Sequence, residues 1–299
     1  MAIVTASRAR NALVVLVLGT LAGLPGKATA EETVSAEGAV SYDNNLSQAL
    51  SASDIVSDTA LKLAVSGGFQ FALGERDTVG LTADLRASQF RRYYGMNSVA
   101  LGGTASWGRK FGLGAFVPWT KVSASFAGEQ YGESIRNGLR SNVTLRAGQR
   151  LSERLELSGG GSFERYRADD VVNVVPGLSG DAFSLEGRSL FARADYALDE
   201  RWAGFAGVAA RRGDVTASTR LNREIFEYSS AVTLDPAFGP DYIAYRLSGA
   251  TTWDFIAGMS LALGDYSSVN LAVSRALTYA SGGIEYQSTQ INASVIFSY

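Results

Sequence analysis

The sequence predicts an all-β protein: a closed, antiparallel, up-and-down transmembrane β-barrel of about twelve strands, with ten or fourteen as alternatives. Three observations lead there. Apolar and polar residues alternate with period 2 along most of the chain. Connections alternate between very short, similar turns and long, dissimilar loops. The sequence closes on a half-apolar strand, INASVIFSY, whose last residue is an aromatic ring. In a soluble domain such an edge would fray or aggregate. In a closed barrel it has a partner.

The first 30 residues read as a cleaved secretory signal peptide. Arg8 and Arg10 supply the positive end, ALVVLVLGTLAGL (12–24) the apolar core, and Pro25 and Gly26 break it. Ala28, Thr29 and Ala30 then form an A-x-A cleavage site. The apolar run is shorter than the ~20 residues of a spanning helix. Residues 31–299 follow as one barrel domain. The formal net charge is −2, and it becomes more negative once Arg8, Arg10 and Lys27 are removed. The chain has no Cys and no His, so it can form no disulfide and offers no thiol and no imidazole.

The strands are expected near 33–43, 58–73, 77–91, 97–111, 117–130, 137–150, 154–167, 187–198, 201–213, 244–263, 267–280 and 285–299. LKLAVSGGFQFAL sets Leu61, Leu63, Val65, Phe69, Phe71 and Leu73 against Lys62, Ser66 and Gln70. TVGLTADLRAS and GLRSNVTLRAGQR repeat the pattern. YRLSGATTWDFIAGMSLAL reads as one register throughout. Tyr245, Leu247, Trp253, Phe255, Met259, Leu261 and Leu263 share one face, with Arg246 and Asp254 on the other. The short connections are LGERD (73–77), KFGLGAF (110–116), LSERL (151–155), LDERW (198–202) and LGDYS (263–267). The long ones lie at 43–58, 91–97, 130–137, 167–187, 213–243 and 280–285. Within 213–243, STRLNREIFEYSSAVTL (218–234) reads either as extended strands or as a short helix.

Lipid requires the outward face to be apolar. Trp107, Trp119, Trp202, Tyr42, Tyr245, Tyr279, Tyr286 and Tyr299 fall near predicted strand ends, where rings with a polar tip suit the membrane boundary. Arg275 falls in register with Val269, Leu271 and Val273, which calls for a bulge or an interfacial position. GGG at 159–161 sits within a strand and reads as close packing or a bend.

The last strand, with Ile291, Val295, Phe297 and the terminal Tyr299, resembles the C-terminal signature of bacterial outer-membrane barrel proteins. SYDNNLSQA (41–49) resembles the first-strand exit of porin-type barrels. The resemblance implies export by the general secretory route, recognition by the barrel-assembly machinery, and an outer membrane of lipid and lipopolysaccharide in a Gram-negative bacterium. The sequence holds no Gly-rich phosphate loop beside a helix, no His/Cys metal spacing and no EF-hand pattern, so no cofactor, metal or nucleic acid is expected. Barrel enzymes of that class are understood to need a His, which is absent here, so no catalytic residue is assigned. Asp169 and Asp170 look like a paired carboxylate in the 167–187 loop, but adjacent residues of an extended chain point to opposite faces, so they read as a solvated loop.

By register Lys62, Arg86, Lys110, Lys121, Arg140, Arg146, Arg150, Arg193, Arg211 and Arg246 line the lumen, as do Glu37, Asp84, Glu129, Glu156, Glu164, Asp195 and Asp254. Two readings follow. One is a small passive channel, or porin, for small solutes, favouring anions along its cationic stripe. The other is a non-conducting barrel whose charges pair internally. Its loops would then contact an envelope polymer, an export system or a secretion partner. The apolar VVNVVPGL (171–178) would plug the lumen or pack on a partner. Both readings remain open at this point.

Overall fold

The computed structural model describes residues 30–299. Residues 1–29, on which the expected signal peptide falls and which include Ala28 of the expected cleavage site, lie outside the described residues. Ala30 is the first residue of the first strand. The strands are β1 (Ala30–Asp43), β2 (Asp58–Ala72), β3 (Asp77–Phe90), β4 (Ser98–Lys110), β5 (Trp119–Tyr131), β6 (Gly138–Arg150), β7 (Leu155–Ala168), β8 (Leu185–Ala197), β9 (Trp202–Thr219), β10 (Ala231–Leu234), β11 (Ile243–Gly264), β12 (Ser267–Tyr279) and β13 (Glu285–Ser298). One short helix, α1 (Arg223–Glu227), precedes β10.

Every sequential neighbour pairs antiparallel from β1 to β9. β9 then pairs with β11, and β11, β12, β13 and β1 close the ring. The barrel therefore has twelve strands, and β10 is an extra strand outside its wall. Closure leaves no unpaired edge in the hydrocarbon, where an orphaned backbone group costs several kcal/mol. The terminal strand does not fray. Val34 N–H donates to the Tyr299 carbonyl at 2.9 Å, Tyr299 N–H donates to the Val34 carbonyl at 2.8 Å, and the Tyr299 ring lies 5.4 Å from that of Tyr266.

The period-2 pattern maps onto the wall as expected. Leu61, Leu63, Val65, Leu139, Val143, Leu145, Phe255, Met259, Ile291 and Phe297 all expose their side chains outward. The short turns gather at one end and the long loops at the other. In one short turn the Asp199 carboxylate accepts from Arg201 N–H and Trp202 N–H, each at 2.8 Å. Those bonds hold its carboxyl below the usual range. Gly160 shows why a glycine run sits mid-strand. A Cβ there would lie 2.0 Å from the Leu145 carbonyl oxygen.

The structure departs from the periodicity in three places. β11 does not hold one register. Its pairing with β9 slips between Leu247 and Ala250, and Gly249 takes a φ of 70° that a side chain disfavours. Tyr245 and Leu247 are consequently not on the lipid face. They are fully buried above the wall, 0% and 1% exposed. The 213–243 loop combines both expected outcomes, since β9 and β11 extend beyond the wall and a short helix also forms. Finally, three of the eight aromatics leave the membrane boundary. Trp119 lies under the Arg146 guanidinium, Tyr245 is buried, and Tyr286 is buried on the inner face. The outward face, which carries Trp107, Trp202, Tyr42, Tyr279 and Tyr299, keeps the expected belt. Arg275 does stand on the outer face, near the long-loop end, and donates to Gln287 Oε1 at 2.5 Å.

A water-lined tube has little to bury, so the hydrophobic core lies elsewhere. Among the described residues, the clusters of buried apolar side chains all lie at the long-loop end. The largest joins Val215, Ala217, Ile225, Val232, Tyr245, Leu247, Ile284 and Tyr286.

Candidate functional site: the capped mouth and the lumen beneath it

Beyond the bulge, β11 leaves β12 and pairs with β10 on one side while keeping β9 on the other. The result is a three-stranded sheet that continues past the wall. Both of its faces are buried. On one face Tyr245, Val232 and Ala217 pack on Ile225 of α1 and on Ile284. On the other, Ala231 and Ala244 pack on Ala182 and Phe183.

Loops from around the ring bond to this sheet. From the β1–β2 loop, Ser47 accepts through its carbonyl from Ser218 N–H at 2.8 Å. Asp54 of the same loop accepts from the Thr219 hydroxyl and pairs with Arg220 at 3.1 Å. From the β3–β4 loop, the Tyr93 ring lies 5.4 Å from Phe238. From the β5–β6 loop, Arg136 pairs with the fully buried Asp235 at 2.5 Å. From the β7–β8 loop, the Ala182 carbonyl accepts from the Thr216 hydroxyl at 2.7 Å. Ile284 of the β12–β13 loop completes the circle. A sheet held from every side of the ring lies across its mouth as a cap. Around Phe238, Tyr242 packs ring to ring at 5.8 Å, and burial raises its phenol above the ordinary value.

Segment 171–178 does not plug the lumen. It leads into the β10 edge of the cap, where Val232 N–H donates to the Ser179 carbonyl at 2.8 Å. The Val172 carbonyl accepts from the Thr233 hydroxyl at 2.9 Å, and Leu178 packs into the largest cluster. Val171, Val172 and Val174 stay exposed. Charged loop residues built the cap, and none of them stood out by periodicity. Arg136, Asp235, Asp54 and Arg220 were missed for that reason.

Beneath the cap lies a cavity of about 470 Å³. Tyr131, Arg140, Glu164, Tyr166 and Arg211 line it together with Thr252, Thr278 and Ser288. Arg140 is the hub of this wall. It reaches Glu129 at 2.7 Å and Glu164 at 3.0 Å, and its guanidinium lies 4.9 Å from the Tyr166 ring centroid. The Tyr131 hydroxyl donates to Glu129 at 3.0 Å. Because β5, β6 and β7 alternate in register, these side chains converge from three strands onto one level of the inner wall.

The other expected lumen residues fall into groups. Arg193 pairs with Asp195 two residues on, at 2.7 Å, and covers the Phe205 ring at 4.1 Å. Arg146 donates to Ser158 Oγ at 2.8 Å over Trp119. Lys62, Arg86, Lys121, Arg150, Glu156 and Asp254 share the inward face by register and make no ion pair among the described residues. Arg246 departs from the expectation. It stands above the bulge, donates to the Ser184 carbonyl at 3.0 Å and lies 3.6 Å from Asp181, so it ties down the β7–β8 loop instead of lining the tube. The continuous arginine stripe on β6 is thus interrupted: Arg140 is neutralised by two carboxylates, while Arg146 and Arg150 face the short-turn end. Among the described residues, no group of three or more His, Cys, Asp or Glu is placed to hold a metal ion.

No protein-family model and no curated protein matches the chain. Solved structures do. An outer membrane channel from Pseudomonas putida F1 superposes with a TM-score of 0.52 at 12% identity, covering 94% of this chain and 98% of that one. The outer membrane channel DcaP of Acinetobacter baumannii gives 0.46 at 8% identity over 93% and 99%. The translocator domain of the autotransporter NalP from Neisseria meningitidis gives 0.43 at 13% over 97% and 96%. At these identities the likeness concerns the fold. With its closed twelve-stranded ring and its outward apolar belt, the chain is a β-barrel of the outer-membrane type.

Proposed function

We propose that this protein is an outer-membrane barrel closed at its outer mouth, acting through the folded surface of its long loops and not as a standing pore. The observation that carries this reading is the cap: a hydrogen-bonded sheet, buried on both faces and tied to loops all around the ring. A porin needs a continuous water path, and such a lid interrupts it. The lumen then opens only toward the short turns, which the outer-membrane topology rule assigns to the periplasm. The exposed Val171, Val172 and Val174 beside the β10 edge of the cap suit contact with an envelope polymer or a secretion partner. The reading includes no catalysed reaction. It takes the leader through the general secretory route with cleavage after Ala30, and takes Ile291, Val295, Phe297 and Tyr299 as the signal for the barrel-assembly machinery.

A second reading is favoured by one observation. Lys62, Arg86, Lys121 and Arg150 are not ion-paired among the described residues, so a cap that swings aside would uncover a path that favours small anions. Planar-bilayer recording decides between the two. A wild type that stays silent while its Asp235→Ala variant conducts supports the closed barrel with the cap as its seal. A wild type that itself opens in bursts, with an anion-favouring reversal potential, supports the gated channel. Steady wild-type conductance overturns the cap as a seal.

A further inference from the structure

The outer wall over β6 to β9 is not a uniform apolar belt. Gly159 and Gly161 of β7 share the outward face with Leu157, Phe163 and Arg165. With no side chains at those two positions, the wall is hollow between Val143 and Leu145 of β6 and Leu190 of β8. Leu190 is 71% exposed, and a Cβ at Gly161 would meet its side chain. The hollow is a groove of about 790 Å³.

Arg188 and Arg212 line the same groove. They are direct cross-strand partners on β8 and β9, and both belong to the outward face. Their row runs through Phe163, Arg188, Arg212, Thr251 and Tyr279, so it meets the ring of strand-end aromatics. Like charges directly opposite each other repel. Neither arginine has an ion-pair partner among the described residues. Arg165 stands one pair further out, opposite Glu186, which offsets one of the three charges.

We infer that this groove binds a phosphorylated, multiply acylated lipid of the surrounding leaflet. The acyl chain lies along the glycine hollow, and a phosphate sits between the guanidiniums of Arg188 and Arg212. The hollow opens within the lipid-facing belt, so an acyl chain is the chemistry that fills it. Guanidinium groups match phosphate geometry through paired N–H donors, and the phosphate relieves the cross-strand repulsion.

The test uses the full barrel in dodecyl maltoside with bis-phosphorylated lipid A, read by native mass spectrometry. The wild type is expected to retain lipid A. The Arg188→Gln/Arg212→Gln variant is expected to lose at least tenfold in retention, and Arg188→Lys/Arg212→Lys to keep an intermediate share. Heat-modifiable migration on gels checks that each variant is folded; if the glutamine pair does not fold, the lysine pair carries the comparison. Lipid A stripped of its phosphates should be retained as poorly by the wild type as lipid A is by the glutamine pair. Equal retention by wild type and folded variant overturns the site. So does displacement of the lipid by an equal concentration of inorganic phosphate, which would mark a simple anion site. The Asp235→Ala barrel should keep its lipid, so this test stands apart from the cap reading.

Discussion

Arg136 and Asp235 are 99 residues apart in the chain and form a buried ion pair at the centre of the cap, with Asp235 wholly inaccessible and the Arg136 guanidinium 4.5 Å from the Phe183 ring and 5.4 Å from that of Phe238. Asp235 also accepts from the Ser218 hydroxyl at 2.5 Å. One carboxylate thus joins the β5–β6 loop, the end of β9 and the turn after β10.

Removing one partner of such a pair leaves an uncompensated buried charge, which costs about 3–5 kcal/mol. Arg136→Ala should therefore open the cap without opening the barrel. Hydrogen exchange is expected to accelerate at 231–234 and 243–247 while 139–146 keep their protection. Uniform loss of protection, or none, would contradict a separately folded cap. Arg136→Lys should rescue little, because lysine lacks the fork and the flat stacking face.

Asp54 ties the β1–β2 loop to the same sheet through Thr219 and Arg220. The Arg220 side chain is half exposed, so that ion pair alone contributes little. The buried bond to Thr219 matters more, because Asp54 is only 6% exposed. Asp54→Ala is expected to free 44–57 for proteolytic nicking in intact, folded barrel, and Arg220→Ala to do so far more weakly. Equal sensitivity of the two variants would count against this ranking.

Gly160 is a test of strand packing. With the Leu145 carbonyl where its Cβ would be, Gly160→Val must push β6 and β7 apart. The expected outcome is loss of the heat-modifiable folded form on gels and accumulation of unassembled chain. Gly128, where a Cβ would meet nothing within 4 Å, provides the control, and Gly128→Ala should assemble normally.

Topology has a direct readout. Ser179 is exposed on the cap, and Glu153 in the turn between β6 and β7. A membrane-impermeant thiol label should reach Ser179→Cys on intact cells and Glu153→Cys only after the outer membrane is breached. The reverse pattern would invert the orientation and, with it, the cap's place outside the cell.

The wall of this protein was legible because one solvent rule repeats along it. Lipid outside and water inside force alternation at every second residue, so Leu139, Val143 and Leu145 announce their face without reference to any other strand. The short turns then establish hairpin order. Arg140, Glu164, Arg193 and Asp195 share the expected face, because register alone decides it.

The cap was not legible, for a physical reason. It is stabilised by contacts between loops from opposite sides of the ring, and no local period encodes which loop meets which. The slip at Gly249 inverts the face of Tyr245, Leu247 and Arg246, yet one extra residue in a long strand leaves the alternation looking continuous. Likewise Asp235 reads as an ordinary loop carboxylate until Arg136 is folded beside it. The sequence by itself determined the barrel, its even strand number and its inner and outer faces, because each follows from the two solvents. Only the tertiary structure decided that the mouth is covered, because closing it depends on long-range pairs between loops.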